Sequence, residues 1–187
     1  GTQELPPADA PDLSTTSEGQ TELGGQIRQY LAATTQEDYK TILDKNWMAL
    51  GLAGLEEARI AVEHLSEEDS KRTGLTRENL RRRLKAALLG SNTVSISGDA
   101  PAAVYLNVNL VPAGDAMHTV YNIDLEVQRS VFFFGDDGRW HQSFTAVWDK
   151  GSTGIAPDNE VADSVKNAIR DFVDDFTIDY FEANPRE

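Results

Sequence analysis

The stretch YNIDLEVQ, residues 121–128, decides the fold. Tyr121, Ile123, Leu125 and Val127 alternate with Asn122, Asp124, Glu126 and Gln128. Successive side chains of a strand point to opposite sides, so this strand has one apolar side and one polar side. It belongs in a sheet that packs on one face and meets water or a partner on the other. Upstream the pattern repeats: Val104, Leu106, Val108 and Leu110 alternate with polar or mixed neighbours, and Val94 and Ile96 mark a shorter strand.

Downstream, GDDG at 135–138 reads as a turn between two strands. A four-residue loop would oppose Phe134 to Arg139, Phe133 to Trp140 and Leu125 to Trp148. It sets Trp140, Phe144, Ala146 and Trp148 on the apolar face. A five-residue loop would oppose Val131 to Ser143 and Leu125 to Asp149. Because a one-residue slip exchanges the faces, the apolar pattern favours the four-residue loop. Phe133 then points inward, and Phe132 and Phe134 point outward as a contact patch or as a surface for the N-terminal helices to cover.

Helical periodicity flanks the strands. Thr76 to Gly90 reads as a helix capped by Thr76, with Leu80, Leu84, Ala87 and Leu88 as its buried stripe. Asp158 to Ala183 reads as a long amphipathic helix, with Val161, Val165, Ala168, Ile169, Phe172, Val173 and Phe176 facing the sheet and Asp158 as its cap. Residues 21–50 repeat apolar positions at helical spacing, and Thr34 followed by Glu37 has capping-box spacing. ARIAVEHL at 58–65 is compatible with strand or helix, and the polar SEEDSKRTG at 66–74 reads as a loop.

These elements give an α+β fold. A mixed, largely antiparallel sheet of about five strands carries helices on one face, and an N-terminal helical segment precedes it. A first strand–helix–strand step is followed by an antiparallel meander. The expected organisation is a leader or tether over residues 1–20, the helical segment over 21–54 and the α+β domain over 55–187. The leader TQELPPADAPDLSTTSEGQ is rich in proline and small polar residues. It fits the tether that follows a removed signal sequence or a lipid-anchor site.

Composition narrows the function. With 187 residues and 40% hydrophobic content the chain builds a core without cross-links. Its net charge of −14 opposes binding to phosphate backbones and to anionic membrane surfaces, so no nucleic-acid partner is expected. Any membrane association would run through the N-terminal anchor. The absence of cysteine removes disulfides, thiolate chemistry and cysteine-type zinc sites.

Catalytic and cofactor signatures are scarce. His64, His118 and His141 stand in no metal-motif spacing, there is no G-x-S-x-G elbow, and no cofactor is implied. GSTG at 151–154 lies between a strand and a helix, where a phosphate loop or a plain connection would sit; it lacks the Walker lysine. Arg77, Arg81 and Lys85 form a basic helical stripe, with Arg82 and Arg83 beside it. That stripe would serve as a solvated face, or would receive an acidic partner or another copy of the chain. Trp140, Trp148 and Phe172 would line any pocket between sheet and helix.

The order strand, helix, strands and closing amphipathic helix over residues 58–183 resembles the small α/β domain in the N-terminal part of TolB. It is similar also to envelope lipoproteins of the curli-secretion and penicillin-binding-protein-activator type. Thr76–Gly90 matches that family's first helix and Asp158–Ala183 its last; the segment at 21–50 is additional. The resemblance implies a non-catalytic protein-binding module of the bacterial envelope. The expected function is therefore an extracytoplasmic, periplasmic and membrane-tethered interaction domain with an envelope protein partner and scope for homo-oligomers. The expected surface is Phe132, Phe134, Arg77, Arg81 and Lys85. The alternatives are small-ligand binding and an enzyme with a dispersed site.

Overall fold

A computed structural model describes residue 49, residues 51–114 and residues 117–185, with Phe134 placed by its backbone only. The leader over 1–20 and nearly all of the helical segment over 21–54 lie outside these residues. The chain divides into two compact units. The larger comprises Lys45–Val131 and Phe144–Glu187, and the described residues of the smaller are Phe132–Ser143.

The larger unit is α+β as expected. In chain order it holds β1 (Glu57–Val62), α1 (Glu67–Thr73), α2 (Arg77–Ser91), β2 (Ser95–Ile96), β3 (Ala103–Pro112), β4 (from His118), β5 (to Pro157) and α3 (Val161–Ala183). The five-stranded sheet has the order β2-β1-β3-β4-β5. β1 pairs in parallel with β2 and with β3, and β3 pairs antiparallel with β4. The ambiguous stretch at 58–65 is thus a central strand. Its alternation of buried Ala58, Ile60 and Val62 with half-buried Arg59 and Ala61 suits a sheet covered on one face.

The register sorts the sheet into two faces. Ile60, Val104 and Val127 share one side, as do Val62, Leu106 and Leu125, and Val108 lies opposite Ile123. Leu80, Leu84 and Leu88 of α2 and Val161, Val165, Ile169, Phe172, Val173 and Phe176 of α3 join them in one core. Trp148 anchors this core. Its ring meets Phe176 edge-on at 5.4 Å, and its indole N–H donates to Asp179 Oδ2 at 2.8 Å, so a large apolar body is buried without orphaning its polar tip.

Local chemistry explains the helix ends. Thr76 caps α2 by accepting from Asn79 N–H at 3.1 Å. α2 runs one residue past Gly90 and ends on Asn92, which takes the left-handed conformation at φ 53°. The segment expected as a loop contains α1. Ser66 caps it, Glu67, Glu68 and Asp69 occupy the first turn, Lys71 and Arg72 the last, and Gly74 closes it at φ 73°. α1 buries only Thr73, so it lacks the apolar stripe that marks the other helices.

Two expectations about the β5–α3 region are corrected. GSTG at 151–154 lies inside β5, not in a connection before a helix. A side chain at 151 would collide with Asp124 and one at 154 with Tyr121, so glycine lets these β4 side chains lie across the neighbouring strand. Asp158 does not cap α3, whose N-cap is Glu160 without a side-chain bond. Instead Asp158 Oδ1 accepts from the Thr119 hydroxyl at 2.6 Å and lies 3.6 Å from Arg72. Arg72 also donates to Thr119 and to Asp69. This half-buried arginine ties α1 to the start of β4 and to the β5–α3 connection.

A second fastening holds the segment before β1. Asn184, just past α3, accepts from Gly54 N–H at 2.7 Å and donates to Leu52 O at 3.0 Å. The Tyr180 hydroxyl donates to Leu55 O at 2.9 Å, and Arg129 donates to Gly51 O at 3.0 Å and Ala53 O at 2.9 Å. Gly51 lies so close to the Val147 carbonyl that no side chain fits there. Turn carbonyls that pack against a core need such partners.

Candidate functional site

The open face of the sheet is polar by sequence and remains accessible in part among the described residues. Tyr105 lies opposite Glu126, Asn107 opposite Asp124 and Asn109 opposite Asn122. Asn122 in turn donates to Thr153 of β5 at 3.3 Å. From β1, the Arg59 guanidinium donates to Ala100 O at 2.8 Å and stands 5.4 Å from the centre of the Phe144 ring. That stacking is a cation–π contact.

Electrostatics on this face follow from crowded acids. Burial pushes the Asp124 carboxyl up, and nearby Glu126 and Asp149 push it further. The Tyr105 hydroxyl donates to Glu63. This bond is the first cause that holds Glu63 below the usual carboxylate range, ahead of a backbone N–H at His64. The same bond, with partial burial behind it, pushes Tyr105 up to about 12. The face can therefore offer carboxylates, amides and a phenol to a polar or basic partner.

β5 borders this face and is the long edge of the sheet, 18 residues over Trp140–Pro157. Among the described residues no strand pairs with the outer side of its Phe144–Pro157 part, which belongs to the larger unit. Ile155 on this strand is 63% exposed. An edge of this kind presents unpaired backbone donors and acceptors to an incoming strand. Sequence reasoning missed the β5 edge, because GSTG reads as a connection before a helix when its cross-strand neighbours are unknown.

The smaller unit is the tip of the β4–β5 hairpin. Gly135 N–H donates to Arg139 O at 2.8 Å and Gly138 N–H to Gly135 O at 3.0 Å, with Gly138 at φ 76°. The loop closes one residue tighter than the four-residue expectation. Phe133 accordingly stacks on His141 at 5.4 Å instead of meeting Trp140. His141 also bonds Asp137 at 2.9 Å, which with the Arg139 backbone N–H holds the Asp137 carboxyl below its ordinary range. Phe132 is 49% and Phe133 50% exposed. The Phe134 side chain lies outside the described residues.

In the larger unit the expected opposition of Leu125 to Trp148 is not restored either: Asn122 meets Thr153, and Gly151 and Gly154 lie against Asp124 and Tyr121, two residues from the expected register. Phe144 meets Arg59 on the open side, whereas Val147 and Trp148, consecutive in sequence, both pack against the core. Alternation breaks there as it does at a β-bulge. Phe144 and Ala146 are therefore exposed and do not line the apolar face as expected.

The remaining candidate residues are placed as follows. Arg77, Arg81 and Lys85 are exposed along α2. Trp148 and Phe172 belong to the packed core. Trp140 opens β5 on the smaller unit. A concavity of about 300 Å³ lies elsewhere, lined by Leu55, Glu56, Glu57, Pro101, Arg129 and Ser130 among others. Among the described residues no three metal-ligating side chains converge, and no helix is long and apolar enough to cross a membrane.

No protein family and no curated protein matches the chain. Among solved structures, the PelC dodecamer from Paraburkholderia phytofirmans is similar with a TM-score of 0.38 and 14% identity, over 63% of this chain and 82% of that one. A minor lipoprotein from Acinetobacter baumannii is similar with a TM-score of 0.31 and 12% identity, over 68% of this chain and 92% of that one. Neither is described as a TolB or curli-secretion domain.

Proposed function

We propose that this chain is a non-catalytic protein-interaction domain of the bacterial cell envelope, held at the membrane by an N-terminal tether. The observation that supports interaction is the Phe144–Pro157 part of β5, an edge strand beside a polar sheet face, with no strand on its outer side among the described residues. A partner segment adds to this edge through backbone hydrogen bonds, and the Asn122–Thr153 pair and Ile155 select its side chains. Phe132 and Phe133 on the smaller unit supply a separate apolar contact. The envelope location rests on the tether-like composition of the leader and on the resemblance in element order.

The test is a photo-crosslinking residue at position 153 in the full-length protein in intact cells. The expected result is a single stoichiometric adduct with an envelope protein, lost when Ile155→Lys places a charge on the edge. An adduct that persists in the Ile155→Lys protein, or a protein that stays in the cytosol without any adduct, contradicts the reading.

The small-ligand alternative finds a place in the concavity beside Glu56, Glu57 and Arg129. There Arg129 is already engaged by the carbonyls of Gly51 and Ala53. This weakens its use as an anchor for a ligand.

A further inference from the structure

α2 and α3 lie side by side on the packed face of the sheet and carry opposite charge outward. Arg81, Arg82 and Lys85 are exposed on α2 and lead to Leu89, which is 58% exposed. Arg82, Lys85 and Leu89 follow helical spacing on one stripe. Asp171, Asp174, Asp175 and Glu182 are exposed on α3 around Ile178, which is 67% exposed. Among the described residues Arg77, Arg81, Arg82, Arg83 and Lys85 form no ion pair, although the chain carries a net charge of −14. On α3, Asp175 meets Lys150 at 3.5 Å and Asp171 meets its neighbour Arg170 at 3.2 Å, while Asp174 and Glu182 have no ion-pair partner there. The exceptions to the sign pattern are Glu78 near the start of α2 and, on α3, Lys166, matched by Asp163 at 2.9 Å, and Arg170, matched by Asp171 at 3.2 Å.

The two helices end at the same end of the sheet. Tyr180 of α3 bonds Leu55 just before β1, and Ser95, just after α2, pairs with Glu57 at the start of β1. The cationic half of α2 and the anionic half of α3 are therefore level. We infer that this helix layer docks on the same layer of a second copy. A two-fold axis parallel to the helices and midway between them lays α2 of each copy over α3 of the other. Every cationic stripe then faces an anionic one, and Leu89 of each copy lies level with Ile178 of its partner. An isologous contact of this kind closes at the dimer.

The size of the layer sets the strength. Two helices about 10 Å apart over a shared length of about 22 Å cover on the order of 450 Å² per copy. A total near 900 Å² is below the roughly 1,200 Å² of stable complexes. Exposed ion pairs add little each and are screened by salt. The dimer is thus weak, with a dissociation constant on the order of 10–100 µM at low salt.

Sedimentation equilibrium of the full chain tests this. The expected result is a monomer–dimer equilibrium that weakens at least tenfold between 50 and 500 mM salt, on the order expected for screened surface charge. Arg81→Glu with Arg82→Glu and Lys85→Glu abolishes the dimer, as does Asp171→Lys with Asp174→Lys and Asp175→Lys. An equimolar mixture of the two variants restores dimers as mixed pairs, and so does one chain carrying both sets. Circular dichroism checks that each variant keeps its fold, and the salt dependence of the unmodified chain stands without any variant. A monomer at every concentration, a dimer indifferent to salt and to both sets, no rescue on mixing, or growth beyond the dimer overturns the proposal. None of these results depends on the β5 edge, so this proposal and the functional reading fail separately.

Discussion

Ile60, Val104, Leu106, Ile123 and Leu125 are almost inaccessible on the packed face of the sheet, whereas Arg59, Tyr105, Asn107, Asp124 and Glu126 of the same strands are half-buried on the other. Both sets share one backbone and one register, so the contrast isolates what side-chain environment contributes. On the packed face, energy comes from apolar area removed from water and from close packing. On the open face, side chains contribute through hydrogen bonds and charge, where individual stabilities are small and signs depend on pH.

Substitutions should separate the faces by magnitude. Phe176→Ala empties volume against Trp148 and Tyr180 and is expected to cost about 3–5 kcal/mol in urea unfolding. A cost below about 1 kcal/mol would mean that α3 does not seal the core. Arg72→Ala removes the group that joins Asp69, Thr119 and Asp158, and Thr119 is fully buried. Its expected cost is about 1–3 kcal/mol, since Arg72 is one partner of a largely covered polar set. Asn184→Ala leaves Gly54 N–H and Leu52 O without their partner and should cost about 1–2 kcal/mol, with faster exchange at Gly54.

The open face should respond weakly and with pH-dependent sign. The folded-state pKa of Asp124 lies above its unfolded value of 3.8, so its contribution is favourable below that value and is lost as pH rises through the folded pKa. Asp124→Asn is therefore expected to be neutral or slightly stabilising at pH 7, with the gain gone below about pH 4. Destabilisation at pH 7 would show that Asp124 has a cationic partner. The bond from Tyr105 to Glu63 has the smallest effect. With Tyr105 pushed from 10.0 to about 12, the stability it contributes is present below pH 10 and is lost as pH rises to about 12. Glu63→Gln should return the Tyr105 titration, read by ultraviolet absorbance, toward 10.0.

The same contrast explains what was legible in the sequence. Where apolar and polar residues alternated, as at 103–112 and 121–128, strand, partner and face were all readable. Where alternation failed they were not. Phe132, Phe133 and Phe134 offer no difference between faces, so loop length alone decided the tip register, and the actual loop is closed by Gly138 in a left-handed conformation. α1 carried a readable signal in Ser66, Asp69 and Gly74, but without an apolar stripe it looked like a loop. The glycines of GSTG, Gly151 and Gly154, answer to Asp124 and Tyr121, which are 27 and 33 residues away in sequence and adjacent only after the sheet forms. The polar open face was expected from YNIDLEVQ, yet its use depends on which strand ends at the edge, a property of topology.

The central claim, an open β5 edge that receives a partner, is tested most directly by amide hydrogen exchange of the isolated full chain followed residue by residue by nuclear magnetic resonance. Every second amide of Asp149–Ala156 should exchange with little protection while Val104–Val108 of β3 exchange only through global unfolding. Uniform protection along β5 to the level of β3 would mean that the edge is already covered, and would contradict the account.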